Sequence, residues 1–185
     1  MPPVVIGLSG CSRSGKSWLA NELRQRLGLE KGIVISQDGF WRHAVKVRLA
    51  DGTEAMSEEE PGCTDHRAFA LAIQHARDKA LGRCIVVEGF QLLHSDKVVG
   101  LLDHIFHFDL DKDECVRRRS APRGPNNLNP LSEWQCQNIL WPTHERYCQE
   151  CVVPLGDRVV LLPAVLGPEH VAELAAAVCE AVGLK

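Results

Sequence analysis

The sequence predicts an α/β domain built on a parallel sheet with helices packed on both faces. Two observations carry that expectation. Short apolar runs alternate with helix-period segments from one end of the chain to the other. No internal repeat, low-complexity tract or linker interrupts the alternation, so residues 1–185 are expected to form a single domain.

The elements follow in order. Residues 4–9 read as a buried strand, followed by a glycine turn and a helix over 16–27. Gly28 and Gly32 punctuate, and 33–35 make a second strand. Residues 37–63 show no clean period. Gly39, Gly52, Pro61 and Gly62 mark that stretch as a long loop with at most a short helical piece. Asp65 is placed to cap a helix whose apolar positions are Phe69, Ile73, Ala76 and Ala80.

Residues 84–87 form the third strand, which ends at Glu88-Gly89. A helical turn over 97–102 precedes the strand at 105–108. Asp111 and Glu114 have capping-box spacing ahead of a helix carrying Arg117, Arg118 and Arg119. Residues 121–130 hold three prolines and read as a loop. Ser132 restarts a helix, Pro142 begins a new segment of it, and that segment ends near Val153. The last strand is 159–162, and Pro168 sits just inside a C-terminal helix reaching Val182.

Composition bounds the function. The chain has 185 residues, 45% apolar and 24% charged, which is ordinary for a globular domain. Its net charge of −3 and pI near 6.2 argue against nucleic acid or an anionic membrane as partner. No apolar run has the length of a membrane span, and the N-terminus lacks a basic signal-peptide region. A cytoplasmic location is expected. Eight cysteines in a chain of this size read as buried thiols rather than a disulfide framework.

The strongest motif is Gly10-Cys11-Ser12-Arg13-Ser14-Gly15-Lys16-Ser17, a full G-x-x-x-x-G-K-[ST] match between a strand and a helix. Its glycines let successive N–H groups curl inward onto phosphate oxygens. Lys16 supplies a point charge to the β- and γ-phosphates, Ser17 offers a hydroxyl to Mg²⁺, and the helix dipole points at the same anions. With Trp18, these residues are the expected nucleoside triphosphate site, and the fold becomes one of the P-loop NTPase type. A dinucleotide loop is excluded, because no G-x-G-x-x-G spans the turn. Asp96 to Gly100 fits D-x-x-G, but no N-K-x-D base-reading motif accompanies it. Inside the loop, Cys11 is expected to be a stabilised thiolate protected from alkylation by nucleotide.

In such a sheet, ligands bind beyond the carboxyl ends of the strands. Asp38 follows strand two and Glu88 follows strand three. A carboxylate at either place can take a proton from an attacking hydroxyl or organise Mg²⁺. Arg117, Arg118 and Arg119 point about 100° apart on one helix, so they cannot all face one phosphate. They and Arg123 suggest a lid over roughly 118–131 that closes on the triphosphate. The pair Cys148-x-x-Cys151, with Cys136 and His144 near it, lacks the second pair that a structural zinc site needs. The run Glu58-Glu59-Glu60 reads as a solvated face.

In order, the motifs G-x-S-G-x-x-x-S-G-K-[ST], S-Q-D-x-F, E-G-F, E-C-x-R-R-R-S and W-P resemble those of the nicotinamide riboside kinases. These are small relatives of uridine kinase among the P-loop nucleoside kinases. The matching pieces are Gly7 to Ser17, Ser36 to Phe40, Glu88 to Phe90, Glu114 to Ser120, and Trp141-Pro142. The resemblance implies ATP- and Mg²⁺-dependent phosphorylation of the 5′-hydroxyl of nicotinamide riboside, or of nicotinic acid riboside, to the mononucleotide in pyridine nucleotide salvage, with Lys16 and Asp38 catalytic and Asp38 the general base. It implies a substrate site of Asp38, Gly39, Phe40, Trp41, Thr64, Asp65 and Arg119, with Asp65 on the ribose diol. It places Arg118 and Arg123 on ATP, and Ser17, Asp38 and Glu88 around the metal. The partner implied is a small-molecule riboside. Two positions depart from the pattern: Thr64 and the Gly124-Pro125 stretch stand where ring-clamping aromatics are expected. A uridine or cytidine kinase, or a nucleotide-dependent switch without turnover, remains the alternative.

Overall fold

The computed structural model describes residues 2–28, 34–79, 84–121 and 130–184. Ile33 of the expected second strand, Ala80, and Arg123, Gly124 and Pro125 of the expected lid lie outside them. Five strands form one parallel sheet in the order β2-β5-β1-β6-β7. They are β1 (Val4–Gly10), β2 (Val34–Ser36), β5 (Cys84–Gly89), β6 (His104–Asp109) and β7 (Val159–Pro163). The helices α1 (Lys16–Arg26), α2 (His66–Asp78), α3 (Asp96–Val99), α4 (Lys112–Ser120) and α7 (Pro168–Ala181) connect or flank them.

Successive strand residues face opposite sides, and the sheet therefore feeds two cores. Val5, Ile85, Val87 and Ile105 pack toward Phe69 and Ile73 of α2 and Val98 and Val99 of α3. Ile6, Leu8, Val86, Phe106 and Phe108 pack toward Leu19 and Leu23 of α1 and Val171, Leu174 and Val178 of α7. Burying both faces is why the central strands read as continuous apolar runs.

The stretch expected as a long loop contains an antiparallel hairpin, β3 (Val45–Arg48) with β4 (Glu54–Ser57). Asp51-Gly52 forms its tip, with Gly52 at φ 85°. Val45 and Val47 are half-buried while Lys46 and Arg48 are exposed, a two-residue alternation too short to stand out beside the surrounding turn residues.

The capping box expected at Asp111 forms only by half. Asp111 accepts the Glu114 amide, but the Glu114 carboxylate is taken by Arg117 and Arg118. A complete box forms at Ser132 and Gln135 instead. From there helical turns run on through α5 (Glu133–Gln135), a π-turn at Cys136–Leu140, α6 (Trp141–Tyr147) and a second π-turn at Cys148–Val152. Among the described residues, no helix is long and apolar enough to cross a membrane.

Candidate active site

The loop 11–15 sits at the carboxyl end of the central strand β1, and α1 begins at Lys16. Gly15 has φ 110°, and a Cβ there would run into Val165. The Ser14 carbonyl accepts the Val165 amide at 3.0 Å, pinning the loop to the segment after β7. Lys16 is buried and its Nζ donates to the Cys11 carbonyl at 2.7 Å, so its charge is held within the curl. The Ser14 hydroxyl is buried with no hydrogen-bond partner among the described residues, a donor suited to a phosphate oxygen. Ser12 lines a small cavity of ≈ 10 Å³ with Cys11, Glu59 and His144, and Trp18 stands exposed on the first turn of α1.

The Cys11 side chain corrects the thiolate expectation. Its sulfur is buried 3.0 Å from Cys115 on α4, beside Leu110 and Leu140. Contact with the Cys115 thiol, then burial, raises its pKa well above the ordinary thiol value.

Glu88 is buried near the end of β5, between Ser36 of β2 and Leu8 of β1 in register. Its Oε2 accepts the Ser17 hydroxyl at 3.1 Å, so these two expected metal-facing groups do meet. Asp38 is exposed one strand further out, on a 3₁₀ turn at Gln37–Phe40 with Gly39 beside it. Gln37 fixes that turn. Its side chain is buried and accepts the Gln91 amide at 3.0 Å, and a Cβ on Gly89 would collide with it. The E-G-F glycine therefore serves packing under the Asp38 turn.

The same turn is stitched to residues 63–65. Trp41 bridges Thr64, the Arg42 amide donates to Cys63 and the Asp65 amide donates to Phe40 at 2.8 Å. Phe40 turns its ring onto Phe69 at 5.1 Å, in the core, whereas Trp41 is half-exposed. Thr64 is buried, with its hydroxyl 3.5 Å from the Gln37 amide. Asp65 caps α2 by accepting the Ala68 amide at 3.0 Å and pairs with Arg42 at 2.5 Å. Those two contacts hold its carboxyl below the ordinary range, the backbone bond first.

Glu59 is the residue that sequence reading missed, because a run of three glutamates looks solvated. Glu60 is tied to α6 through Thr143 at 3.0 Å and Arg146 at 2.6 Å. That anchor turns Glu59 inward, toward Cys11, Ser12 and His144. Burial raises its pKa to about 7, opposed by the charges of Arg119 and Lys16 and assisted by Glu58 and Asp38. Only Glu58 of the three is fully solvated. A second cavity, about 170 Å³, opens beside Glu58 and Glu59 and is lined by Ala44, Met56, Ile139 and Leu140.

The three arginines divide as their helical spacing requires. Arg117 is exposed and pairs with Glu114. Arg118 pairs with Glu114 at 2.5 Å and donates to the Arg13 carbonyl at 3.3 Å. Arg13, in the left-handed region at φ 62°, returns its guanidinium to the Arg118 and Ala121 carbonyls. Arg119 faces Glu59 closely enough to lower its pKa. So Arg118 joins the phosphate loop, and Arg119 turns toward Glu59.

The parallel sheet, the loop after its central strand and the acids at the strand ends give the chain the fold of the P-loop kinases. No protein-family model matches the chain. Among curated proteins it is similar to a uridine kinase of Clostridium perfringens, 23% identical over 83% of this chain and 88% of that one. A uridine kinase of Tolumonas auensis is 27% identical over 71% of this chain and 75% of its own. Among solved structures, a possible uridine kinase from Bacillus stearothermophilus superposes with TM-score 0.52 at 19% identity, covering 86% of this chain and 89% of that chain. A gluconokinase from Sinorhizobium meliloti does so with TM-score 0.57 at 16% identity, covering 98% and 96%. These structural likenesses carry the fold.

Proposed function

We propose that this protein is an ATP-dependent nucleoside kinase that transfers the γ-phosphoryl group to the 5′-hydroxyl of a pyrimidine ribonucleoside, uridine or cytidine. The observation that carries it is the Ser17–Glu88 contact beside buried Lys16, with the exposed Asp38 on the next turn and Asp65 stitched behind it. The uridine kinases among its relatives support the pyrimidine over the pyridine substrate.

In this reading the loop amides and Ser14 hold the phosphates, and Lys16 exchanges the Cys11 carbonyl for phosphate oxygens. Ser17 and Glu88 are hard oxygen donors of the kind Mg²⁺ takes. When bound there, Mg²⁺ neutralises charge on the β- and γ-phosphates. Asp38, exposed and free to approach substrate, accepts the proton of the attacking 5′-hydroxyl. Asp65 receives the ribose diol, since a carboxylate accepts several hydrogen bonds at once. Arg119 stands beside Glu59. Arg118 keeps the phosphate loop joined to α4.

A pyridine riboside is the second reading, supported by the Glu114 to Ser120 and Trp141-Pro142 segments. The test is ATP consumption by the purified protein with uridine, cytidine, nicotinamide riboside or no acceptor. Turnover that depends on uridine or cytidine is expected. A greater kcat/KM on nicotinamide riboside would replace the pyrimidine assignment, and turnover indifferent to any nucleoside would remove the kinase assignment itself.

A further inference from the structure

Three metal-ligating side chains converge beside the phosphate loop and take no part in the reading above. His107 is buried on β6, while His144 and Cys148 lie one turn apart on the helix that follows the W-P segment. Residues four apart on a helix share a face, so H-x-x-x-C aims both at the sheet. Cys148 Sγ lies 3.5 Å from His144 Nε2 and 3.8 Å from His107 Nε2. All three ligand atoms fall within 4.8 Å of one another. The Cys148-x-x-Cys151 pair that the sequence offers does not act together: Cys151 approaches His94 instead, and Cys136 is buried in another cluster. The second histidine comes from a strand far away in sequence, which is why spacing alone could not find this group.

We propose that His107, His144 and Cys148 form a binding site for a borderline-soft divalent cation of the zinc class, separate from the Ser17–Glu88 corner. Tetrahedral zinc, with bonds of about 2.3 Å to sulfur and about 2.0–2.1 Å to nitrogen, puts neighbouring ligand atoms roughly 3.5 Å apart. The Cys148–His144 spacing already matches, the Cys148–His107 spacing is a few tenths of an ångström longer, and the two histidines, stacked with ring centroids 5.9 Å apart, keep their ligand nitrogens within 4.8 Å of each other. Outer groups orient the ligands as such sites require. His107 Nδ1 contacts Ser9 Oγ at 3.2 Å, Ser9 contacts the Tyr147 hydroxyl at 2.7 Å, and that hydroxyl accepts the Leu93 amide at 3.0 Å. A proton on Nδ1 donated to Ser9 leaves the Nε2 lone pair facing Cys148. Hard-oxygen cations are poorly served by two imidazoles and a thiolate, so Mg²⁺ is not the occupant.

On binding, Cys148 loses its thiol proton to solvent, one proton per cation, and a water completes the tetrahedron. The cation thereby clips α6 and the π-turn after it to β6. It fixes the helix whose Thr143 and Arg146 hold Glu60, and through Glu60 it fixes the direction of Glu59.

The test uses full-length protein stripped with a chelator, then titrated with Zn²⁺ and with Co²⁺ as the spectroscopic probe. One equivalent should bind at micromolar affinity or tighter, Co²⁺ should show a thiolate-to-metal charge-transfer band, and Zn²⁺ should raise the Tm. Cys148→Ser should abolish the band and weaken binding at least ~10-fold, judged against the ~10–100-fold seen when outer-shell partners are lost. Cys151→Ser should leave both unchanged. If Cys148→Ser does not fold, His144→Gln carries the same comparison of affinity. Folded wild-type protein showing no thiolate band, or a Cys148→Ser variant binding Co²⁺ as wild type does, overturns the site.

Discussion

The Ser17 hydroxyl donates to Glu88 Oε2 across 3.1 Å, joining the first turn of α1 to the end of β5. Both oxygens would face the same metal ion in the proposed reaction, and the contact holds them in place before any ligand arrives. Glu88→Gln keeps an acceptor for Ser17 but removes the charge. We expect the Mg²⁺ concentration for half-maximal rate to rise and kcat to fall by at least ~10-fold, with little change in Tm. Initial rates across a Mg²⁺ series check this. An unchanged Mg²⁺ dependence would make Glu88 a scaffold for Ser17 and nothing more.

Gly89→Ala should injure activity through Gln37. The added methyl would meet the Gln37 side chain, with its Cβ at 2.7 Å, and Gln37 is buried beneath the Asp38 turn. Overpacking of this kind costs about 1–3 kcal/mol. Asp38 should be displaced, so kcat should drop further than a matched loss of stability elsewhere would cause. Comparing the variant with an equally destabilised one, such as Ile73→Val in the core, separates the two effects.

How far these arrangements could be read from the sequence varies with the range of the contacts. The phosphate loop and the five sheet strands were legible, because local glycines and apolar runs specify them. The placement of Asp65 as the α2 cap was legible for the same reason. The hairpin was not, since Val45 and Val47 alternate over only four residues. Glu59 and His107 were not, because each owes its position to a partner distant in sequence, Glu60 with Arg146 in one case and Ser9 in the other. The Cys11 thiol was misread because its neighbour Cys115 sits on a helix about a hundred residues on.

Cys11 should accordingly resist alkylation. Its thiol is buried against Cys115 and held protonated, so labelling by a maleimide should be slow and should not change when Mg-ATP is added. Mass spectrometry of the loop peptide after timed labelling reads this directly. Rapid modification blocked by nucleotide would restore the reactive-thiolate view.

Glu59 gives the protein a pH-dependent stability of definite sign. Its pKa is raised from 4.5 to about 7 in the folded state, so the folded protein binds this proton more tightly than the unfolded chain. The stabilisation is fully present below pH ~4.5 and is lost as pH rises toward and through about 7. Glu59→Gln removes the titration. The difference in Tm between variant and wild type should therefore grow in the variant's favour from pH 5 to pH 8. Parallel Tm curves over that range would show that Glu59 is charged throughout.

Asp65 has a structural duty and a proposed functional one, and a single substitution can part them. One of its oxygens caps α2 through Ala68, and the other pairs with Arg42. Replacing a cap by alanine costs about 1 kcal/mol, whereas serine caps nearly as well as aspartate. Asp65→Ser should therefore keep the Tm close to wild type while losing the carboxylate that would receive the ribose diol. A charged hydrogen bond to a hydroxyl is worth about 1.5–3 kcal/mol, or roughly ten- to a hundredfold in kcat/KM. Wild-type protein should prefer uridine over 2′-deoxyuridine by about that factor, and Asp65→Ser should bring the ratio close to one by slowing the riboside. Arg42→Ala should act in the opposite direction on the riboside, because Asp65 Oδ2 is then released for the diol. Kinetics on the two nucleosides with the three proteins decide the matter. A wild-type ratio near one, or a ratio that survives in Asp65→Ser, would leave Asp65 as the cap of α2 and place the diol elsewhere.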